Sequence, residues 1–177
     1  GREIIVGNLV TNGGFDLFTT ANTPNGGFTT QGTITQETTV TFGARSSLKI
    51  VSAATTAAFV RFAIPNWGKL YGRTVRCYAM VRSDSASSCT LQFSDGVLIT
   101  TKTVTTNNVW EMLLITPQMS NAATQAQVSV EIAALASGAS TTYVQFLYVP
   151  DPDPLYEQTA IDAARNLTWI GNLKVST

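Results

Sequence analysis

Histidine is absent from the 177 residues. That excludes Ser-His-Asp and Cys-His nucleophile systems, imidazole metal ligands and an imidazole base near neutral pH. Charge is scarce too: 12% of residues are charged and the net charge is zero. A neutral chain lacks the basic footprint of a nucleic-acid binder and the basic face of a membrane-surface protein. Its longest apolar runs fall far short of the roughly 20 residues that cross a bilayer. The 11 acidic residues are spread thinly, and no convergent acid–base set emerges, so no enzyme is expected. There are only two cysteines, Cys77 and Cys89. A hairpin centred near Ser85 would leave them out of register with each other, which predicts two small buried thiols and no disulfide. Their spacing suits no zinc site. The chain starts at Gly1 without a signal peptide, and compartment stays open on that ground.

What is present is threonine, valine and aromatics in short alternating segments, punctuated by Gly, Asn and Ser clusters. Such residues suit a half-buried pleated surface, and the spacing of the turns predicts an all-β sandwich or barrel. Strands are expected near 3–10, 32–41, 46–52, 58–64, 73–83, 89–94, 97–105, 109–116, 126–133 and 142–149. Asn12-Gly13-Gly14 and Asn25-Gly26-Gly27 read as turns. The Ala-rich segments 120–127 and 133–139 are expected to be loops with a short helical turn as the alternative.

After Val149 the composition changes. Pro150-Asp151-Pro152-Asp153-Pro154 predicts a stiff extended linker, since proline fixes φ and biases its predecessor away from helix. The rest of the chain is predicted to be an arm, with a short helix near 156–165. Tyr156, Ile161, Trp169, Ile170 and Leu173 make it too apolar to float free, yet it is too short for a core of its own. The division expected is a domain over 1–149 and a linker with arm over 150–177.

Five segments in order carry a resemblance. Asn8-Leu9-Val10-Thr11-Asn12-Gly13-Gly14-Phe15-Asp16 opens the chain, and Gly43-Ala44-Arg45-Ser46-Ser47-Leu48-Lys49-Ile50 follows. Then come Leu70 to Arg82, and Val109-Trp110-Glu111-Met112 with the closing strand 142–149. Together, over roughly residues 4–150, they resemble the β-jelly-roll carbohydrate-binding modules of the xylan- and β-glucan-binding type. The resemblance implies an antiparallel jelly roll and a non-catalytic binding or structural role. It also implies a structural calcium between an acid near the opening turn and an Asp on the closing strand. Asp16 matches the first position, but the closing strand carries Gln145 and no carboxylate appears before Asp151. The ligand set is therefore incomplete for a cation that wants several oxygens.

Strand parity suggests a binding surface. Val75, Cys77, Ala79 and Val81 would form one face of their strand, and Arg76, Tyr78, Met80 and Arg82 the other. Tyr143 and Gln145 would share a face on the closing strand, and Arg61 and Gln92 would join them if these strands form one sheet. Gln127, Ser129 and Glu131 form a further polar face. Rings, guanidinium groups and amides are what sugars bind, and a solvated outer sheet face is the plainer alternative. Trp110 matches a core strand position of the family. Trp67 in Pro65-Asn66-Trp67-Gly68-Lys69 is a candidate stacking platform, with a packing role as the alternative.

Two functional expectations follow. One is a structural or adhesive module of a phage particle, at the virion surface, docking on other virion proteins or copies of itself through the arm. The other is a carbohydrate-binding module of a secreted glycan-degrading enzyme.

Overall fold

The computed structural model describes residues 7–152. The expected arm, with Tyr156, Ile161, Trp169, Ile170 and Leu173, lies outside the described residues, as does the first half of the strand expected near 3–10.

Twelve strands run along the described residues. They are β1 (Phe18–Thr20), β2 (Thr23–Pro24), β3 (Thr29–Gln31), β4 (Thr33–Glu37), β5 (Ser47–Val51) and β6 (Ala58–Ala63). After them come β7 (Cys77–Ser83), β8 (Cys89–Ser94), β9 (Ile99–Thr103), β10 (Glu111–Ile115), β11 (Gln127–Ile132) and β12 (Thr141–Tyr148). The first sheet has the order β10-β7-β12-β5-β4 and the second β3-β6-β11-β8-β9, while β1 and β2 form a small ribbon. Every pairing is antiparallel. Consecutive strands pair only at β1/β2, β4/β5 and β8/β9, so the chain repeatedly crosses between the sheets, as in jelly-roll sandwiches.

Alternation explains the core. Leu48, Ile50, Ala79, Val81, Leu113, Val144 and Leu147 of the first sheet face Val60, Leu91, Phe93, Val128 and Val130 of the second, and all are buried. One end is filled by Phe15, Phe28 and Phe62, with centroids 5.0 and 5.4 Å apart. The switch from β3 to β4 turns on Gly32 at φ +100°, where a Cβ would lie 2.6 Å from the Ala58 Cβ and 2.8 Å from the Val51 carbonyl oxygen. Only glycine fits that corner.

The two Asn-Gly-Gly turns are joined. The Asn12 amide accepts the N–H groups of Asp16 and Leu17 and donates to the carbonyls of Leu17 and Asn25. Gly13 lets β12 approach, because a Cβ there would meet the Leu147 carbonyl oxygen at 2.2 Å. The opening motif is therefore held by turn chemistry and close packing. Beside the domain's ends, the Asp151 N–H donates to the Gly7 carbonyl at 2.9 Å.

One expectation is corrected. β7 and β8 are not a hairpin: they lie in opposite sheets, joined by a 3-10 turn at Ala86–Ser88. Cys77 and Cys89 are thus on different sheets, free and buried. The Ala-rich segments are loops, as expected, and Ala123 and Ala126 are buried in the core. The short β1, β2 and β3 escaped notice, because two or three residues show no alternation.

Candidate functional site

The polar residues grouped from strand parity divide between two outer faces. Tyr78, Arg82 and Tyr143 belong to the first sheet, with Arg76 just before its strand β7, whereas Arg61, Gln92, Ser129 and Glu131 belong to the second. Facing apart across the core, they cannot form the single surface expected.

Gln145 is on neither outer face. A β-bulge falls between Val144 and Phe146, which pair with Val81 and Met80. The extra residue shifts the alternation, so Tyr143, Phe146 and Tyr148 are partly exposed while Gln145 and Leu147 are buried. The Gln145 amide accepts the Phe42 N–H at 2.6 Å and donates to the Ser46 carbonyl at 2.7 Å. Ser46 Oγ in turn donates to the Phe15 carbonyl at 2.8 Å. These bonds tie the 42–46 loop to the closing strand. They also test the calcium expectation. Both amide atoms of Gln145 are engaged, and the Asp16 side chain is exposed. The residues at this place do not fit a calcium ion, and among the described residues no group of three or more acidic or thiol side chains gathers as a metal site.

Trp67 sits in a 3-10 turn, Trp67–Leu70, entered through Asn66 at φ 53°. It is half-buried against the core and edge-on to Tyr71, with centroids 5.5 Å apart. It takes the packing role weighed beside the platform, while part of its surface stays exposed. Trp110 precedes β10, half-buried and edge-on to Phe42 at 5.9 Å. Its ring is at the surface, not in the core as the family pattern implies.

The second sheet carries the better-formed site. Register sets up two cross-strand rows. One is Thr29, Arg61, Ser129, Gln92 and Thr101; the other is Gln31, Phe59, Glu131, Thr90 and Thr103. Side chains opposite each other on one face lie about 5 Å apart, so the rows make a polar strip in which Phe59 is the one apolar member. The Arg61–Glu131 pair is bidentate, Nε to Oε2 at 2.8 Å and Nη2 to Oε1 at 2.7 Å. The hydrogen bonds to Glu131 raise the Arg61 guanidinium above its usual value, and the group also rests 3.6 Å above the Phe59 ring. Both partners are thereby held in one orientation, with edges open to solvent. Beside them is an open groove of about 370 Å³ lined by Thr90, Gln92, Thr101, Thr103, Glu131 and Ser87 among others. The Thr90 and Thr103 hydroxyls lie 3.2 Å apart. The Ser129 hydroxyl is buried in the central row with no partner.

Chemically the groove offers hydroxyls, an amide and a carboxylate in fixed array, its one acidic group paired with Arg61. It suits a neutral polyhydroxylated ligand. The parity of 126–133 pointed to Glu131 and Ser129, but the threonines of β8 and β9 were missed as lining residues. The alternation Thr101, Thr103 was the available signal.

No protein-family model matches the chain, and no curated protein does. Solved structures do. A family 61 carbohydrate-binding module in complex with β-1,4-galactotriose is 13% identical, covers 80% of this chain and 97% of its own, and has a TM-score of 0.59. A family 22 xylan-binding domain is 19% identical, covers 79% and 96%, and has a TM-score of 0.53. The enzymatically active domain of tailspike protein 4 from bacteriophage CBA120 is 14% identical, with a TM-score of 0.54 over 80% of this chain but only 21% of that one. At such identities the likeness is one of architecture. The chain has the β-sandwich fold of carbohydrate-binding modules.

Proposed function

We propose that this protein is a non-catalytic glycan-binding module that lays a neutral polysaccharide across the outer face of its second sheet. The observation that carries the reading is the polar groove beside the ordered Arg61–Glu131 pair. A sugar chain brings vicinal hydroxyls, which match a planar carboxylate, an amide and spaced threonines. Such a face needs no metal and no catalytic group. Adhesion to a glycan is the role it would serve, whether the module is carried on a virion surface or in a secreted glycan-degrading enzyme.

The test is binding of the full chain to β-1,4-galactan, xylan and mixed-linkage β-glucan by calorimetry. Gln92→Ala removes a two-atom amide contact from the groove, and each lost hydrogen bond is worth about 1 kcal/mol. At least one polymer should bind, and the variant should weaken it by roughly 5- to 30-fold as one or both bonds are lost. No binding to any neutral polymer, or unchanged binding by Gln92→Ala, overturns the reading.

A second reading is that the module is a structural part of a phage particle, docked on other virion proteins or on copies of itself. The likeness to a segment of a phage tailspike favours it. Mass in solution, for the full chain and for one ending at Pro150, tests the arm: a defined oligomer that the shorter chain loses supports assembly through residues 151–177, and two monomers refute it.

A further inference from the structure

The outer face of the first sheet differs from the groove in charge and in apolar content. Register places Arg82 of β7 opposite Tyr143 of β12, and Tyr143 opposite Lys49 of β5. The result is a cation–ring–cation row across three adjacent strands. Arg76 is exposed just before β7. One row along, Met80 pairs with Phe146, and beyond it Tyr78 packs on Tyr148 with centroids 5.8 Å apart and planes inclined by 37°.

The cations lack acidic partners among the described residues. The Arg82 Nε is buried and makes no hydrogen bond. The nearby acids are occupied elsewhere. Glu111 accepts from Thr105 and Thr106, Asp84 from Ser140 and Thr141, and Glu37 from Thr39 and Val40. A guanidinium with an unmet donor, in a half-buried aromatic setting, is where an incoming anion gains most.

We propose that this face is a second binding site, distinct from the groove, and that its ligand is an acidic polysaccharide bearing uronate carboxylates. Charge complementarity selects an anion. The face geometry selects a sugar over an acidic peptide, because extended peptides add to a sheet through main-chain hydrogen bonds at its edge. Here the rings lie on the face, and β7 and β12 are interior strands whose main-chain groups are already paired. From Tyr78 to Arg82 is about 13 Å along β7, enough for a few pyranose rings. Sugar rings would cover Tyr78, Tyr148 and Tyr143, and carboxylates would meet Arg82 and Lys49.

The experiment measures binding of the full chain to polygalacturonate and to its fully methyl-esterified form, at low and high salt. The expected result is binding to the acid form only, weakened severalfold on raising salt from about 50 to 500 mM as screening shortens the reach of the cations. Arg82→Gln and Lys49→Gln should each reduce affinity at least fivefold. Lys49 is the safer of the two for folding, so its variant stands if Arg82→Gln misfolds. Absence of binding to polygalacturonate at low salt, equal binding of the ester, or unchanged affinity in Lys49→Gln would each overturn the proposal.

Discussion

Replacing Gln145 by alanine tests how the closing strand holds the 42–46 loop. Gln145 is only 4% exposed, so the substitution removes an amide from a site with little water. Two groups lose their partner. The Ser46 carbonyl belongs to a fully buried residue, and leaving such a group unpaired costs about 1–2 kcal/mol. The Phe42 N–H belongs to a residue 51% exposed; water replaces its partner, and about 0.5 kcal/mol is lost. The missing methylene adds about 0.8 kcal/mol. The sum is about 2–3.5 kcal/mol, or a fall of roughly 5–12 °C in Tm for a body of this size. Urea unfolding followed by tryptophan fluorescence reads this as a lower midpoint at unchanged slope. Gln145→Glu adds a sign. A carboxylate there faces the Ser46 carbonyl in a dry setting, which raises its folded pKa above the unfolded value near 4.3. The folded state then holds more protons, so the variant gains stability as pH falls through the raised value and loses it as pH rises. A loss below about 0.5 kcal/mol in Gln145→Ala, or a Gln145→Glu variant indifferent to pH, refutes the reasoning.

Other tests follow from the same structure. Asp95 is buried and its carboxylate accepts the N–H groups of Val97, Leu98 and Ser120 at 2.6–2.9 Å. Burial opposes its ionisation, but those backbone donors together hold its pKa below the ordinary range. Its contribution is therefore complete above the unfolded value near 3.9 and is lost as pH falls through the depressed one. Asp95→Ala should cost about 3 kcal/mol at pH 7, and its loss of stability on acidification should be shallower than the wild type's by urea titration. Gly13→Ala forces a methyl group onto the Leu147 carbonyl oxygen. It should destabilise by more than about 2 kcal/mol, and thermal unfolding near the wild-type Tm contradicts that close approach. Burial pushes the Cys77 and Cys89 thiols up to about 12. Ellman's reagent at pH 8 should therefore find no reactive thiol in the native protein and two in denaturant, and rapid native labelling would contradict their burial.

Much of the sandwich was legible in the chain. Strands β5, β6, β8, β11 and β12 fall within a residue of their expected places, because each carries at least five residues of clear alternation. The inward set of β7, Cys77, Ala79 and Val81, was likewise readable from parity alone. The candidate site was readable only in fragments. Arg61, Gln92 and Glu131 face outward as parity implies, but nothing along the chain says that β6, β8 and β11 are neighbours while β7 belongs elsewhere. Gln145 failed for another reason: a bulge inserts one residue and flips the alternation after it, and no local signal near 143–147 announces the bulge.

The sequence by itself determined a neutral, histidine-free, all-β chain and the inward or outward sense of each regular strand. These depend on composition and on a period of two, which are local properties. Tertiary structure decided which strands share a sheet, and therefore that the polar residues form a neutral groove on one side and a cationic aromatic row on the other. It also decided that Gln145 serves the scaffold. Strand partners are chosen by the fit of two whole faces around one core, and that choice is settled between segments far apart in the chain.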